Sequence, residues 1–249
     1  MCELKIPGKL MLAGEYAVTV PGHLAIVFAI DRFISKKGSQ LVNKKGIKYG
    51  LGSSGAYAVF KTKSQYPALL DDALFKKSLQ LSRQTQIQNS GADIAASTFS
   101  GLLIYQNGHL PKSLLFPNNW QLLVGWTGTP AVTSELVKIN QLSENFLAQS
   151  DLIVQNMIAA IREQNFNLFS QQLILAEKNL ETLKGVLTDK LAKAIQIARQ
   201  FDVAAKISGA GGGDNVIAFA QDKKIVDKIK QDWRKAGIIP LDLHVYYKK

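Results

Sequence analysis

The sequence has one cysteine, Cys2, among 249 residues. No internal disulfide can form from it, and no cysteine-rich metal site exists. Histidine is nearly as scarce: His23, His109 and His244 stand far apart and lack ligand spacing, which removes a histidine metal centre. Acidic residues are also short, with 19 Asp and Glu against 30 Lys and Arg and a net charge of +11. Such a balance suits nucleic acid, an acidic membrane surface or a small polyanionic substrate. The basic residues fall as scattered pairs, Lys36-Lys37, Lys44-Lys45 and Lys223-Lys224 among them. No basic stripe interleaved with aromatics, zinc-finger spacing or RNA-recognition motif is present, so nucleic acid is not the expected partner. Long apolar runs are missing too. No segment can span a bilayer, and the start MCELKIPGKLML lacks the apolar core of a secretory signal. The expectation is a soluble chain in a reducing, cytoplasmic setting with no membrane partner.

What is present is a core. At 47% hydrophobic, the chain can bury one large domain or two modest ones. HLAIVFAI (23–30) and GLLIYQ (101–106) read as strands, whereas KKGSQLVNKKGIKYG between them reads as a loop or weak edge. From Thr133 onward apolar residues recur three and four apart, as in Phe166, Phe169, Leu173, Ala176, Leu180 and Leu183. Thr133 and Ser150 suggest helix starts, and Thr188 with Asp189 suggests another. The end alternates strand VAAKIS, a glycine turn, strand NVIAFA, helix KKIVDKIKQDWRKAG and strand LDLHVYY. That order predicts an α+β fold with helices on an antiparallel sheet, and a boundary near Pro117–Asn119 divides the chain into 1–117 and 118–249.

The stretch GLGSSGA (50–56) has three glycines and two serines, and its spacing also matches the Gly-x-Gly-x-x-Gly of a dinucleotide turn. Asp71 and Asp72 lie near the distance required of a ribose-binding acid. The context fails, because LVNKKGIKY is a poor parallel core strand and PALLDDALFKK reads as helix where the acid should end a strand. The Gly-x-x-x-x-Gly-Lys-Ser/Thr pattern is absent as well. Small residues here let backbone N–H groups approach phosphate oxygens at a helix start, and a serine hydroxyl there can ligate Mg²⁺. The loop therefore suits a nucleoside triphosphate, with Gly50, Gly52, Ser53, Ser54, Gly55 and Ala56 as its expected contacts.

PGKLMLAGEYAV (7–18) and SGAGGGDNVIAF (208–219) are two further glycine-bearing stretches. With GLGSSGA they resemble, in order and across nearly the whole chain, the three motifs of the GHMP kinases, a family of small-molecule kinases. SGADIAAST (90–98) and LVGWTGTPAVTS (123–134) make the chain most similar to the bacterial phosphomevalonate kinase branch, and Tyr16 stands where mevalonate kinases tend to have His. The resemblance implies a two-domain fold, S5-like in the N-terminal half and ferredoxin-like in the C-terminal half, with the site between them. It also implies ATP-dependent, Mg²⁺-assisted phosphorylation of 5-phosphomevalonate to 5-diphosphomevalonate. The alternatives are mevalonate kinase or another kinase of the family, and a nucleotide-binding sensor without catalysis.

By the same resemblance Lys9 and Asp93 are the catalytic pair, Glu15 orients its neighbours, and Ser54 is the metal ligand. Lys48, Tyr16, Ser208, Gly209, Ala210, Gly211 and Gly212 are expected on the substrate side. Helix capping is an alternative role for Ser53 and Asp93. The chain departs from the family in three places. Both the stretch between AIDRF and KYGLGSSG and the helix after the loop are short, so that either a deletion or omitted loop residues are open, the second being expected. The acid that mevalonate kinases carry before the catalytic aspartate is missing from QLSRQTQIQNSGAD, which leaves Mg²⁺ without its acidic ligand.

Overall fold

A computed structural model describes residues 3–86 and 89–248; Cys2 lies outside them. The first strand, β1 (Lys5–Ala13), pairs antiparallel with β2 (Leu24–Ser35), and Leu10 lies opposite Phe28. β2 is buried without interruption from Ala25 to Ile30, as its continuous apolar run requires of a strand covered on both faces. The polar stretch that follows folds back as β3 (Gly38–Ser39) and an isolated pairing of Val42 with Lys48. Three helices come next: α1 (Ser53–Gln65), α2 (Asp71–Arg83) and α3 (Ala92–Phe99). β4 (Leu102–Gln106) and β5 (Lys112–Leu114) complete a sheet in the order β1-β2-β4-β5, with β3 on the end of β2.

The second sheet begins with β6 (Gln121–Trp126). After it come α4 (Thr133–Ile139), α5 (Glu144–Arg162), α6 (Phe166–Glu181) and α7 (Asp189–Arg199). β7 (Ala205–Ser208), β8 (Asn215–Ala220), α8 (Lys223–Lys235) and β9 (Ile239–Leu241) follow. The strand order β7-β8-β6-β9, antiparallel throughout, is that of a split βαβ, ferredoxin-like sheet. The α+β expectation is met. One buried cluster joins the first sheet to α5 and α6, and a second joins α7 and α8 to the other sheet. Trp233 of α8 is fully buried in the second, its indole N–H donating to the Ala194 carbonyl at 2.9 Å.

Local details depart from the expected pattern. α1 continues through Lys61, Lys63 and Ser64, because helical exposure suits those residues, and stops only at Tyr66 before Pro67. Ser150 lies inside α5, whose cap is Ser143, and Val132 rather than Thr133 precedes α4. Thr188 does cap α7, accepting from the Leu191 N–H at 3.4 Å. The last strand is Ile239–Leu241 and not LDLHVYY. The later residues instead return to the first sheet, where the Tyr246 N–H meets the Ala29 carbonyl at 2.9 Å and the Gly101 N–H meets the Tyr246 carbonyl at 2.7 Å.

Candidate active site

The first glycine loop opens α1 and is tied to β1 by one bond, from the Lys9 N–H to the Leu51 carbonyl at 2.9 Å. Gly50 and Gly52 both have φ of 72°, in the left-handed region that glycine reaches without strain. Gly52 caps the helix, so Ser53 is its first residue and does not act as the cap. Ser54 is exposed, Ser53 is half-buried, and neither hydroxyl has a protein partner among the described residues. Among the described residues the Ser53 and Ser54 N–H groups, at the start of α1, likewise have no partner, with the positive end of the helix dipole behind them. Ala56 is different. It is buried in the core, and its N–H is used on the Gly52 carbonyl at 3.0 Å.

Each glycine of this loop makes room for one charged side chain from elsewhere. A Cβ on Gly50 would fall 2.3 Å from Asp214 Cγ, one on Gly52 would fall 2.6 Å from Lys9 Cγ, and one on Gly55 would fall 2.5 Å from Asp93 Cγ. Three distant segments thus bring an aspartate, a lysine and a second aspartate together along the helix start. Asp93 lies in the first turn of α3, after a Gly91 cap, and so does not cap that helix itself. Burial raises its pKa above the usual carboxylate range, and Lys9 with the Ile94 and Gly55 N–H groups opposes the rise. Its Oδ1 accepts from the Ile94 N–H at 2.9 Å.

Asp214 was not among the expected site residues. It closes the third glycine loop with φ of 55°, accepts from the Ala131 N–H at 3.2 Å, and exchanges backbone bonds with Thr127 and Thr129. Burial raises its pKa, while the Ala131 N–H, Lys9 and Lys48 lower it. An aspartate after a glycine run reads in sequence as a turn residue, since aspartate tolerates positive φ. The signal that could have found it was its place at the end of a motif already singled out.

The remaining expected residues divide into two groups. Lys48 is exposed and near Asp214, and Gly209 has open space where a side chain would be. Inward-facing groups form the other set. Ser208 is buried, its hydroxyl donating to the Met11 carbonyl at 2.8 Å and accepting from the Met11 N–H at 3.0 Å. Tyr16 is buried and donates its hydroxyl to the Ala210 carbonyl at 2.5 Å. Gly211 packs on Val186, and the Gly212 N–H donates to the Val186 carbonyl at 2.7 Å. Glu15 is buried in an ion pair with Lys206. Among the described residues, no group of three His, Cys, Asp or Glu side chains could hold a metal.

Residues 157–239 match the model of the GHMP kinase C-terminal domain. The chain is 30% identical to the mevalonate kinase of Pyrococcus furiosus, over 89% of this chain and 75% of that one. It belongs to the GHMP kinase family. It is 26% identical to the phosphomevalonate kinase of Streptomyces sp. strain CL190, with 95% of both chains covered. In structure it is similar to the Streptococcus pneumoniae phosphomevalonate kinase solved with phosphomevalonate and AMPPNP. That likeness has a TM-score of 0.87 at 24% identity and covers 99% of this chain and 100% of the other. No described helix is long and apolar enough to cross a membrane.

Proposed function

We propose that this GHMP kinase transfers the terminal phosphoryl group of ATP to 5-phosphomevalonate, giving ADP and 5-diphosphomevalonate. The single observation that carries the site assignment is the seating of Asp214, Lys9 and Asp93 on the three glycines of a loop that opens a helix. The acceptor is supported by full-length similarity to phosphomevalonate kinases of Streptomyces and Saccharolobus solfataricus. The donor set fits MgATP. Unpaired helix N–H groups suit its phosphates, and the free Ser54 hydroxyl suits a hard cation that takes few protein oxygens. Bound there, MgATP would supply the phosphoryl group and spread its charge over the metal.

The side chains then have separate tasks. Lys9 neutralises charge that builds on the transferred phosphoryl oxygens, where it is worth most in the transition state. Asp93 holds the Lys9 ammonium and the acceptor in line. The acceptor oxygen belongs to a phosphate monoester whose second pKa is about 6, so it is mostly deprotonated at neutral pH and needs little help from a base. Asp214 fixes Lys9 and Lys48 from beneath Gly50, and Lys48 meets the acceptor's own phosphate. The attacking oxygen forms a bond to phosphorus as the bond to the ADP oxygen breaks.

ADP release measured against mevalonate, phosphomevalonate, diphosphomevalonate, galactose and homoserine tests the assignment. Turnover of phosphomevalonate well above the rest is expected. Equal or better turnover of mevalonate overturns the acceptor, and ATP hydrolysis or binding without transfer to any of them overturns the activity.

A further inference from the structure

β7 and the turn after it present alternate residues to the N-terminal motif. Lys206 meets Glu15, Ser208 meets the Met11 backbone, and the Ala210 carbonyl meets the Tyr16 hydroxyl. The spacing is the two-residue period of a strand, so one face of β7 is dedicated to this contact. Two of the three rungs are neutral hydrogen bonds. The first is ionic and completely enclosed: the Lys206 and Glu15 side chains are 0% and 3% exposed, with Nζ to Oε1 at 2.5 Å. Lys206 also donates to the Ile207 carbonyl, and the Ile207 N–H donates to Glu177 Oε2 of α6 at 2.7 Å. Glu177 is itself fully buried, and its Oε1 has no partner among the described residues. A fully buried lysine–glutamate pair is a poor way to gain stability, because desolvating the charges offsets their attraction. Such a group is better explained by the geometry it enforces.

What it enforces is the relation between two parts of the site. Lys9 lies two residues before the Met11 rung on β1, and the third glycine loop begins directly after the Ser208 rung and ends at Asp214. We propose that Lys206, paired with Glu15 and backed by Glu177, is a positioning residue for phosphoryl transfer, setting the third glycine loop and Asp214 against Lys9. It touches neither phosphate nor acceptor. Misplacement of about 1 Å at a distant support can lower turnover by about 100-fold, because only the aligned geometry reacts. The inference rests on the phosphoryl-transfer reading above, so the wild type is assayed first with ATP and the acceptor panel, and the variants with whichever acceptor it uses.

Lys206→Met is compared with Trp233→Phe, which breaks a buried hydrogen bond on α8, far in sequence from the loops. Both are measured at a temperature where circular dichroism shows them folded. The expected result for Lys206→Met is a fall in kcat of about 10- to 100-fold with the KM values for ATP and acceptor within about threefold of wild type. Trp233→Phe should lose melting temperature and keep its kcat. Should Lys206→Met not fold, Lys206→Met with Glu15→Gln removes the stranded buried carboxylate and is read in the same way. A folded Lys206 variant with kcat within twofold of wild type overturns the positioning role. So does an equal kcat loss in Trp233→Phe, since general loosening would then account for both. A wild type that transfers to no acceptor refutes the activity itself, a separate outcome.

Discussion

The two glycine loops that flank the site have nearly the same composition and use it for different reasons. In the first, Gly50, Gly52 and Gly55 leave space that charged side chains from β1, α3 and the third loop fill. In the third, an added Cβ would meet Val186 at Gly211, Leu136 at Gly212 and the Thr129 carbonyl at Gly213. Those are the walls of the α6–α7 connection, α4 and the β6–α4 loop. The first loop therefore admits charge, while the third lets backbone pack closely and so holds Asp214 at a set height. A glycine run in sequence says that something approaches closely, and it does not say what.

The comparison can be broken most severely at the charge itself. Lys9→Met should lower kcat by about 100- to 1,000-fold while ATP still binds, since the task proposed for the ammonium is to act where phosphoryl charge develops. A raised KM with near-normal kcat in steady-state kinetics would make Lys9 a binding group only.

Gly55→Ala sharpens the contrast. Alanine is better than glycine inside a helix by about 1 kcal/mol, so α1 should not suffer. The new methyl group would nevertheless press on the Asp93 carboxylate, and kcat should fall by about 100-fold. Gly212→Ala, which in the third loop presses on the Leu136 side chain and on no charge, should change kcat by less than about threefold, although that contact and its φ of 70° cost some stability. Equal losses in the two variants would erase the distinction between the loops.

Asp93→Asn should lose about 10- to 100-fold, or about 1.4 to 2.7 kcal/mol of transition-state stabilisation, and its activity should not climb steeply between about pH 7 and 9. Loss of four decades, recovered by raising pH, would make Asp93 a true base.

The smallest effect lies beneath the third loop and concerns stability. Burial pushes the Glu177 carboxyl up to about 7 from its ordinary 4.5, with the Ile207 N–H, Lys206, Glu181 and Glu15 as its charged or polar neighbours. The native state then keeps a proton that the unfolded chain gives up, so wild-type stability falls as pH rises through that window. Glu177→Gln has no such proton to lose. Denaturant melts of the two proteins should diverge by up to about 3 kcal/mol from pH 4.5 to 7, with the wild type losing ground. Parallel curves would mean that Glu177 is already ionised in the native protein.

Some of this was readable from the residues and some was not. The HLAIVFAI strand, the helices of the second half and the Thr188 cap follow from local pattern, and the structure has them. Ser150 did not become a cap, because the helix expected from Thr133 breaks after Ile139 and restarts at the Ser143 cap, so that α5 runs through Ser150, and a serine is tolerated inside a helix that packing holds. The final LDLHVYY alternates like a strand, yet most of it returns to pair with Ala29 and Asp31 of β2, since strand patterning does not name the partner edge. Lys9, Ser54 and Asp93 were legible from their motifs and do gather at one helix start. Asp214 and Lys206 were not, because each lies next to residues whose local meaning was plain: a turn for one and a buried strand for the other.

By itself, the sequence determined the alternation of strands and helices, the left-handed turns that only glycine takes readily, and a motif order shared with the GHMP kinases. These are properties of neighbours along the chain, where backbone sterics and side-chain periodicity act over a few residues. Only the tertiary structure decided that Asp214, Lys9 and Asp93 occupy the three glycine gaps, and that Lys206 is enclosed in a pair with Glu15 while Glu177 holds the neighbouring Ile207 N–H. Those pairings join residues up to 191 positions apart. Their energies depend on burial and on distances that exist only after both sheets have packed, where a low dielectric makes each charge choose its partner.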